Sequence, residues 1–163
     1  MKLFKDSTND FFRWVRGTEL VQLDDIDVTE DPIRPELSLE WRLDYGRIIY
    51  GLKYNNAIEG IVCVAYTNDI PSTVKELDLM SENADMKGNA NTLVAYTVWS
   101  RKRGAGKEII QKLLENTKSD KRIKQLVTLS PLTPMATHFH ISNGAKLIQH
   151  NATTQNFEYK LDK

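Results

Sequence analysis

The chain has 163 residues, 22 basic and 22 acidic side chains, and a formal net charge of zero. That length suits one domain with one core over residues 1–163, and 40% hydrophobic with 27% charged content argues for a folded rather than a disordered chain. No apolar run reaches the ~18 residues of a membrane span, the N-terminus lacks a secretory signal, and one cysteine with three histidines excludes an internal disulfide and argues against structural zinc.

In chain order, Ser7 caps a short helix that carries Phe11 and Val15 on one face and ends at Gly17. A short strand is expected at 20–23. From 37 to 45, Leu37, Leu39, Trp41, Leu43 and Tyr45 alternate with Ser38, Glu40, Arg42 and Asp44, and that strict period of two predicts a strand. Gly46 turns the chain. Strands follow at 48–54 and 57–66, with Asn55 and Asn56 as the turn between them. Pro71 opens a short helix through Leu77 and Leu79, and the polar stretch 81–91 reads as a loop.

The second half alternates strand and helix. A strand is expected at 93–99 and a helix at 105–118, with Ile109, Ile110, Leu113 and Leu114 as its apolar stripe. A short strand at 126–129 precedes a helix from Pro134 to Ser142, which Asn143 and Gly144 stop. Strands at 145–149 and 157–161 close the chain. The fold class is therefore α/β (α+β), a mixed central sheet with helices on both faces. Charge is uneven along the chain. Residues 19–40 hold eight acidic side chains and one basic, while 101–124 hold nine basic and three acidic. The basic stretch reads either as a solvated face or as one that meets an anionic ligand.

The strongest local signal is Val98-Trp99-Ser100-Arg101-Lys102-Arg103-Gly104-Ala105-Gly106-Lys107, where a strand runs through a basic glycine loop into a helix. A helix N-terminus offers free backbone N–H groups and the positive end of the peptide dipole. Glycines let a bulky phosphate approach those amides. The loop is not a Walker motif, since the Gly-Lys-Ser/Thr ending is absent. Further on come Thr128-Leu129-Ser130-Pro131, then Phe139-His140-Ile141-Ser142-Asn143-Gly144-Ala145, then Asn156-Phe157-Glu158-Tyr159.

The glycine loop resembles that of the GNAT acyltransferase superfamily, whose Arg/Gln-x-x-Gly-x-Gly/Ala pattern is met by Arg101, Gly104 and Gly106. The resemblance implies a GNAT-like domain with coenzyme A as substrate. Its diphosphate would lie on this helix start, and a backbone amide, at Val98, would hold the thioester carbonyl. In the later helix Ala136, Phe139 and Gly144 match a common GNAT pattern, but His140 stands where that pattern has a tyrosine. Over roughly residues 57–163 the segments are more similar to the malonyl-CoA decarboxylase catalytic domain, as is Val64-Ala65-Tyr66-Thr67-Asn68-Asp69-Ile70-Pro71. That resemblance implies catalytic roles for Ser130 and His140. The GNAT resemblance implies coenzyme A contacts from Val98, Ser100, Arg101, Arg103, Gly104, Ala105, Gly106 and Lys107, and Asn143 is a further expected contact.

Decarboxylation of a malonyl thioester leaves an enolate, whose oxygen an N–H donor stabilises by ~3 kcal/mol. Histidine suits proton delivery to the α-carbon. Acyl transfer from acetyl-CoA to a small amine acceptor is the alternative, because the basic loop looks like an ordinary acetyltransferase. A non-catalytic coenzyme A-binding or sensing module is a second. Nucleic-acid binding through 101–124 is disfavoured by the balanced charge. Ser130 could instead serve a strand-end backbone group, and His140 a core hydrogen bond. His138 and His150 have no assigned role, Cys63 reads as core packing and Trp99 as packing beneath the loop. The expectation is a cytoplasmic monomer or homodimer that takes acyl-CoA, needs no metal and has no membrane partner.

Overall fold

The computed structural model describes residues 17–163. The helix expected from Ser7 through Val15 lies outside the described residues. Eight strands form one mixed sheet: β1 (Glu19–Leu23), β2 (Ile48–Tyr54), β3 (Ala57–Thr67), β4 (Thr92–Ser100), β5 (Gln125–Thr128), β6 (Ser130–Pro131), β7 (Lys146–His150) and β8 (Thr154–Tyr159). Among the described residues the helices are α1 (Leu39–Leu43), α2 (Val74–Lys87), α3 (Ala105–Lys118) and α4 (Pro134–Ser142). The first four strands run antiparallel in sequence order, β4 pairs parallel with β5, and β8 pairs antiparallel with β5, β6 and β7. Asn55 and Asn56, both at positive φ (50° and 63°), make the tight β2–β3 turn that the sequence predicted.

Two apolar layers sandwich the sheet. On one face Ile109, Ile110 and Leu113 of α3 pack on Leu52, Val62, Val64, Leu93 and Phe157, with Phe139 of α4 beside them. On the other, Leu77 of α2 and Trp41 of α1 cover Ile49, Ile61, Cys63, Val94 and Tyr96. Cys63 is fully buried, as expected, and burial pushes its thiol up to about 11. Trp99 is buried in the second layer, where its Nε1 has no partner among the described residues.

Two expectations are corrected. Residues 37–45 do not form a strand: Ser38 accepts a hydrogen bond from Trp41 N (3.1 Å) and caps the short helix α1. A strand would have put Arg42 on the wet face. Instead it is fully buried, where Nη1 meets Asp31 Oδ2 at 2.7 Å, Nη2 donates to Arg34 O and Nε to Leu37 O. Those partners are distant enough in sequence that local alternation could not reveal them. The stretch 81–91 is also not a loop over most of its length. α2 starts at Val74 under a Thr73 cap and continues to Lys87, because Ser81 and Ala84 extend the buried face of Leu77 by helical spacing. The Ser81 hydroxyl donates to Leu77 O (2.7 Å) and accepts from Arg47. Gly88, left-handed at φ 63°, ends the helix.

Candidate active site

The centre of the sheet is deliberately irregular. Cys63 faces Thr97 and Val64 faces Ala95, so Tyr96 is an extra residue on β4. A bulge turns successive side chains to the same face. Tyr96 meets the Trp41 ring edge-on at 5.4 Å, and the Thr97 hydroxyl donates to Asp31 Oδ1 at 2.8 Å. After the bulge Val98 returns to the α3 face, partly buried, and pairs with Val62. The β4–β5 pairing ends at Ala95↔Thr128, followed by one bond from Leu129 N to Ala95 O (3.0 Å). β4 then runs on to Ser100, and the two strands part.

Beyond Ser100 a short loop leads into α3 at Ala105. The amides of Arg101 and Lys102 donate to Glu59 O, which anchors the loop to β3. Gly104 takes a left-handed turn (φ 84°), and α3 begins with no side-chain cap. Among the described residues, the amides of Gly106 and Lys107 have no backbone partner. Gly60 lets the first turn lie against β3, since a side chain there would come within 3.3 Å of Ala105 O. Ala105 is buried, while Arg103, Gly104 and Lys107 are exposed. The Arg101 guanidinium forms an ion pair with Glu30 at 2.9 Å.

Gly106 links this loop to α4, for a Cβ there would sit 3.3 Å from the Phe139 ring. Next to Phe139 is His140, only 6% exposed. Its ring lies 5.2 Å from that of Phe157 and 5.8 Å from that of Tyr159, and Nδ1 is 2.7 Å from Tyr159 Oη. Burial lowers the imidazole to about 4, so it is neutral at pH 7. Burial raises the Tyr159 phenol, which therefore keeps its proton. A phenol that donates to Nδ1 leaves the imidazole proton on Nε2.

Ser130 is 3% exposed, its Oγ 2.8 Å from Thr128 Oγ1. Thr128 Oγ1 also accepts from Phe157 N (3.1 Å), and Asn156 Nδ2 donates to Thr128 O (2.8 Å). Ser130 reaches Phe157 only through Thr128, whose Oγ1 accepts from Phe157 N, whereas His140 meets the Phe157 ring directly. Their own hydrogen-bond partners are Thr128 and Tyr159 rather than each other. Asn143 is used at the end of α4, where Nδ2 donates to Phe139 O at 2.7 Å. Sequence reasoning missed the buried set Asp31, Arg34 and Arg42, and it quoted Thr128 in a segment without giving it a role. It quoted Asn156, Phe157 and Tyr159 as a motif without a role for each.

Solved structures share this architecture. The malonyl-CoA decarboxylase of Agrobacterium vitis aligns with 98% of this chain and 64% of its own, at 18% identity and TM-score 0.71. This is a GNAT fold. It is close to that of the malonyl-CoA decarboxylase domain, and the chain spans less than two thirds of that decarboxylase. The loading GNAT-like domain of CurA from Lyngbya majuscula aligns over 89% of this chain and 98% of its own (12% identity, TM-score 0.63). An acetyltransferase of Bacillus subtilis, solved with CoA, aligns over 89% and 99% (9% identity, TM-score 0.60). No protein-family model matches the chain, and no curated protein matches it in sequence. Among the described residues no helix is long and apolar enough to cross a membrane.

Proposed function

We propose that this chain is an acyl-CoA enzyme that decarboxylates malonyl-CoA to acetyl-CoA and CO2. Among the described residues the amides of Gly106 and Lys107 have no backbone partner, and the exposed cations Arg103 and Lys107 belong to the same loop and first turn, which suits a diphosphate at the start of α3. On this reading the pantetheine arm runs between β4 and β5 beyond the end of their pairing at Ala95 and Thr128, with the Val98 backbone at the thioester carbonyl.

In the reaction the bond between the α-carbon and the carboxylate breaks. Its electron pair moves onto the thioester carbonyl as an enolate, CO2 leaves, and the α-carbon then takes a proton. The observation that carries this reading is the buried, neutral His140 held by Tyr159. A neutral imidazole N–H is a competent donor to an enolate oxygen and a source of a proton for so basic a carbon. It is a poor acid toward a departing thiolate, which is far less basic. Acyl transfer would need that second step, so the same residue favours decarboxylation. Ser130 Oγ shares its hydrogen bond with Thr128 Oγ1, and in the arrangement where Thr128 is the donor the Ser130 proton is left for the departing carboxylate or the enolate.

The test is incubation of pure protein with malonyl-CoA and no acceptor. Acetyl-CoA is expected, and His140→Ala should lower its rate by about a hundredfold or more. If no acetyl-CoA forms but acetyl-CoA releases thiol when an amine is added, acyl transfer replaces this reading. Coenzyme A binding without turnover, indifferent to His140→Ala, would mark a sensing module.

A further inference from the structure

One buried cation near the site has no part in the chemistry so far. Arg34 lies between the short helical turn at 28–30 and α1, and it is 8% exposed. Its Nε donates to Tyr96 O at 3.0 Å and its Nη2 to Leu129 O at 3.0 Å. Those two carbonyls belong to the bulge of β4 and to the residue after β5. The guanidinium therefore bridges the two strands where they part. Val98 follows two residues beyond one of its partners, and Ser130 one residue beyond the other.

Arg34 is held there from behind. Its own amide donates to Asp31 Oδ1 (3.0 Å), and its carbonyl accepts from Arg42 Nη2 (2.7 Å). Asp31 cannot neutralise it: Oδ2 is taken by Arg42, and Oδ1 by the Thr97 hydroxyl and the amides of Ile33 and Arg34. Among the described residues no carboxylate lies within ion-pair distance of the Arg34 guanidinium, and Nη1 carries no hydrogen bond. Burial weakens its hold on its proton, with Glu36 and Asp31 acting against that only from a distance. A buried guanidinium bonded only to neutral carbonyls is costly unless an anion completes it. Its rigid fork suits a carboxylate.

We infer that Arg34 is a specificity-determining residue, its free guanidinium edge receiving a carboxylate at the far end of the acyl group, so that the site selects acyl-CoA thioesters with a terminal carboxylate. The inference rests on the acyl-CoA reading and adds the residue that distinguishes such a substrate from acetyl-CoA. Val98, where the thioester carbonyl is proposed, and Arg34 then mark the two ends of a short acyl group.

Two inert probes separate the outcomes: the carboxyethyl thioether of coenzyme A, which matches a malonyl skeleton without its thioester, and its neutral carbamoylethyl counterpart. Calorimetry on the full chain should show the anionic probe bound about tenfold to a hundredfold more tightly. Arg34→Gln should abolish that gap and leave the affinity for coenzyme A itself unchanged. Arg34→Lys, which keeps charge but not the fork, should retain a smaller gap, and it decides the matter if the glutamine variant does not fold. Equal affinity of the wild-type protein for the two probes, or a gap unchanged by either variant, overturns the role of Arg34 while leaving coenzyme A binding intact. Failure of coenzyme A and of both probes to bind removes the acyl-CoA reading, and this inference with it.

Discussion

His140 is a base kept from water by three aromatic rings. Its folded-state value, about 4, lies below that of an exposed imidazole. Between that value and roughly 6.5 the unfolded chain binds a proton that the folded chain refuses. Stability from this residue is therefore complete above that window and is lost as pH falls through it. Urea midpoints measured from pH 7 to pH 4 should drop, and His140→Asn should flatten the decline. Position 140 was legible in the sequence because a histidine replaced a tyrosine in a recognisable segment. Its neutrality was not, since that depends on Phe157 and Tyr159, which reach it from a different strand. Arg34 gave no signal at all. One arginine in an acidic stretch looks like a surface charge, and only the parting of β4 and β5 gives it a place.

At the scale of elements, the second half of the chain was read closely. α3 and α4 begin and end where glycine, proline and apolar spacing placed them, because those cues act within one turn of the helix. α1 was misread because five alternating apolar residues carry no local sign that the arginine among them is buried against Asp31. Capping is what sets this short helix on its course. Replacement Ser38→Ala should cost about 1 kcal/mol in chemical denaturation, and Ser38→Asp should restore most of it. α2 was cut short for a related reason: a serine on a buried helical face looks polar until its hydroxyl is seen bonded to the backbone and to Arg47.

Across the whole molecule, order is distributed unequally. The sheet centre is packed on both faces, whereas every residue of β7 is exposed, Leu147 and Ile148 among them at 47% and 40%. Ile148→Lys should leave unfolding free energy within ~0.5 kcal/mol of wild type, as read by thermal or urea melts. Formal neutrality and a pI near 6.8 add little repulsion between copies at neutral pH, so the same variant should raise the concentration at which light scattering appears.

A last consequence follows from how β8 meets its neighbours. β5 and β6 keep one register against it, Val127↔Glu158 and Ser130↔Gln155, yet the ladder lapses between them. There the strands are stitched by Thr128 and Asn156 side chains instead. A seam sewn with side chains can be altered one stitch at a time without sliding the fabric on either side. A change at Thr128 or Asn156 thus acts on the junction next to Ser130 while the registers of β5 and β6 on either side stay as they are, at the cost of the buried groups it leaves unpaired.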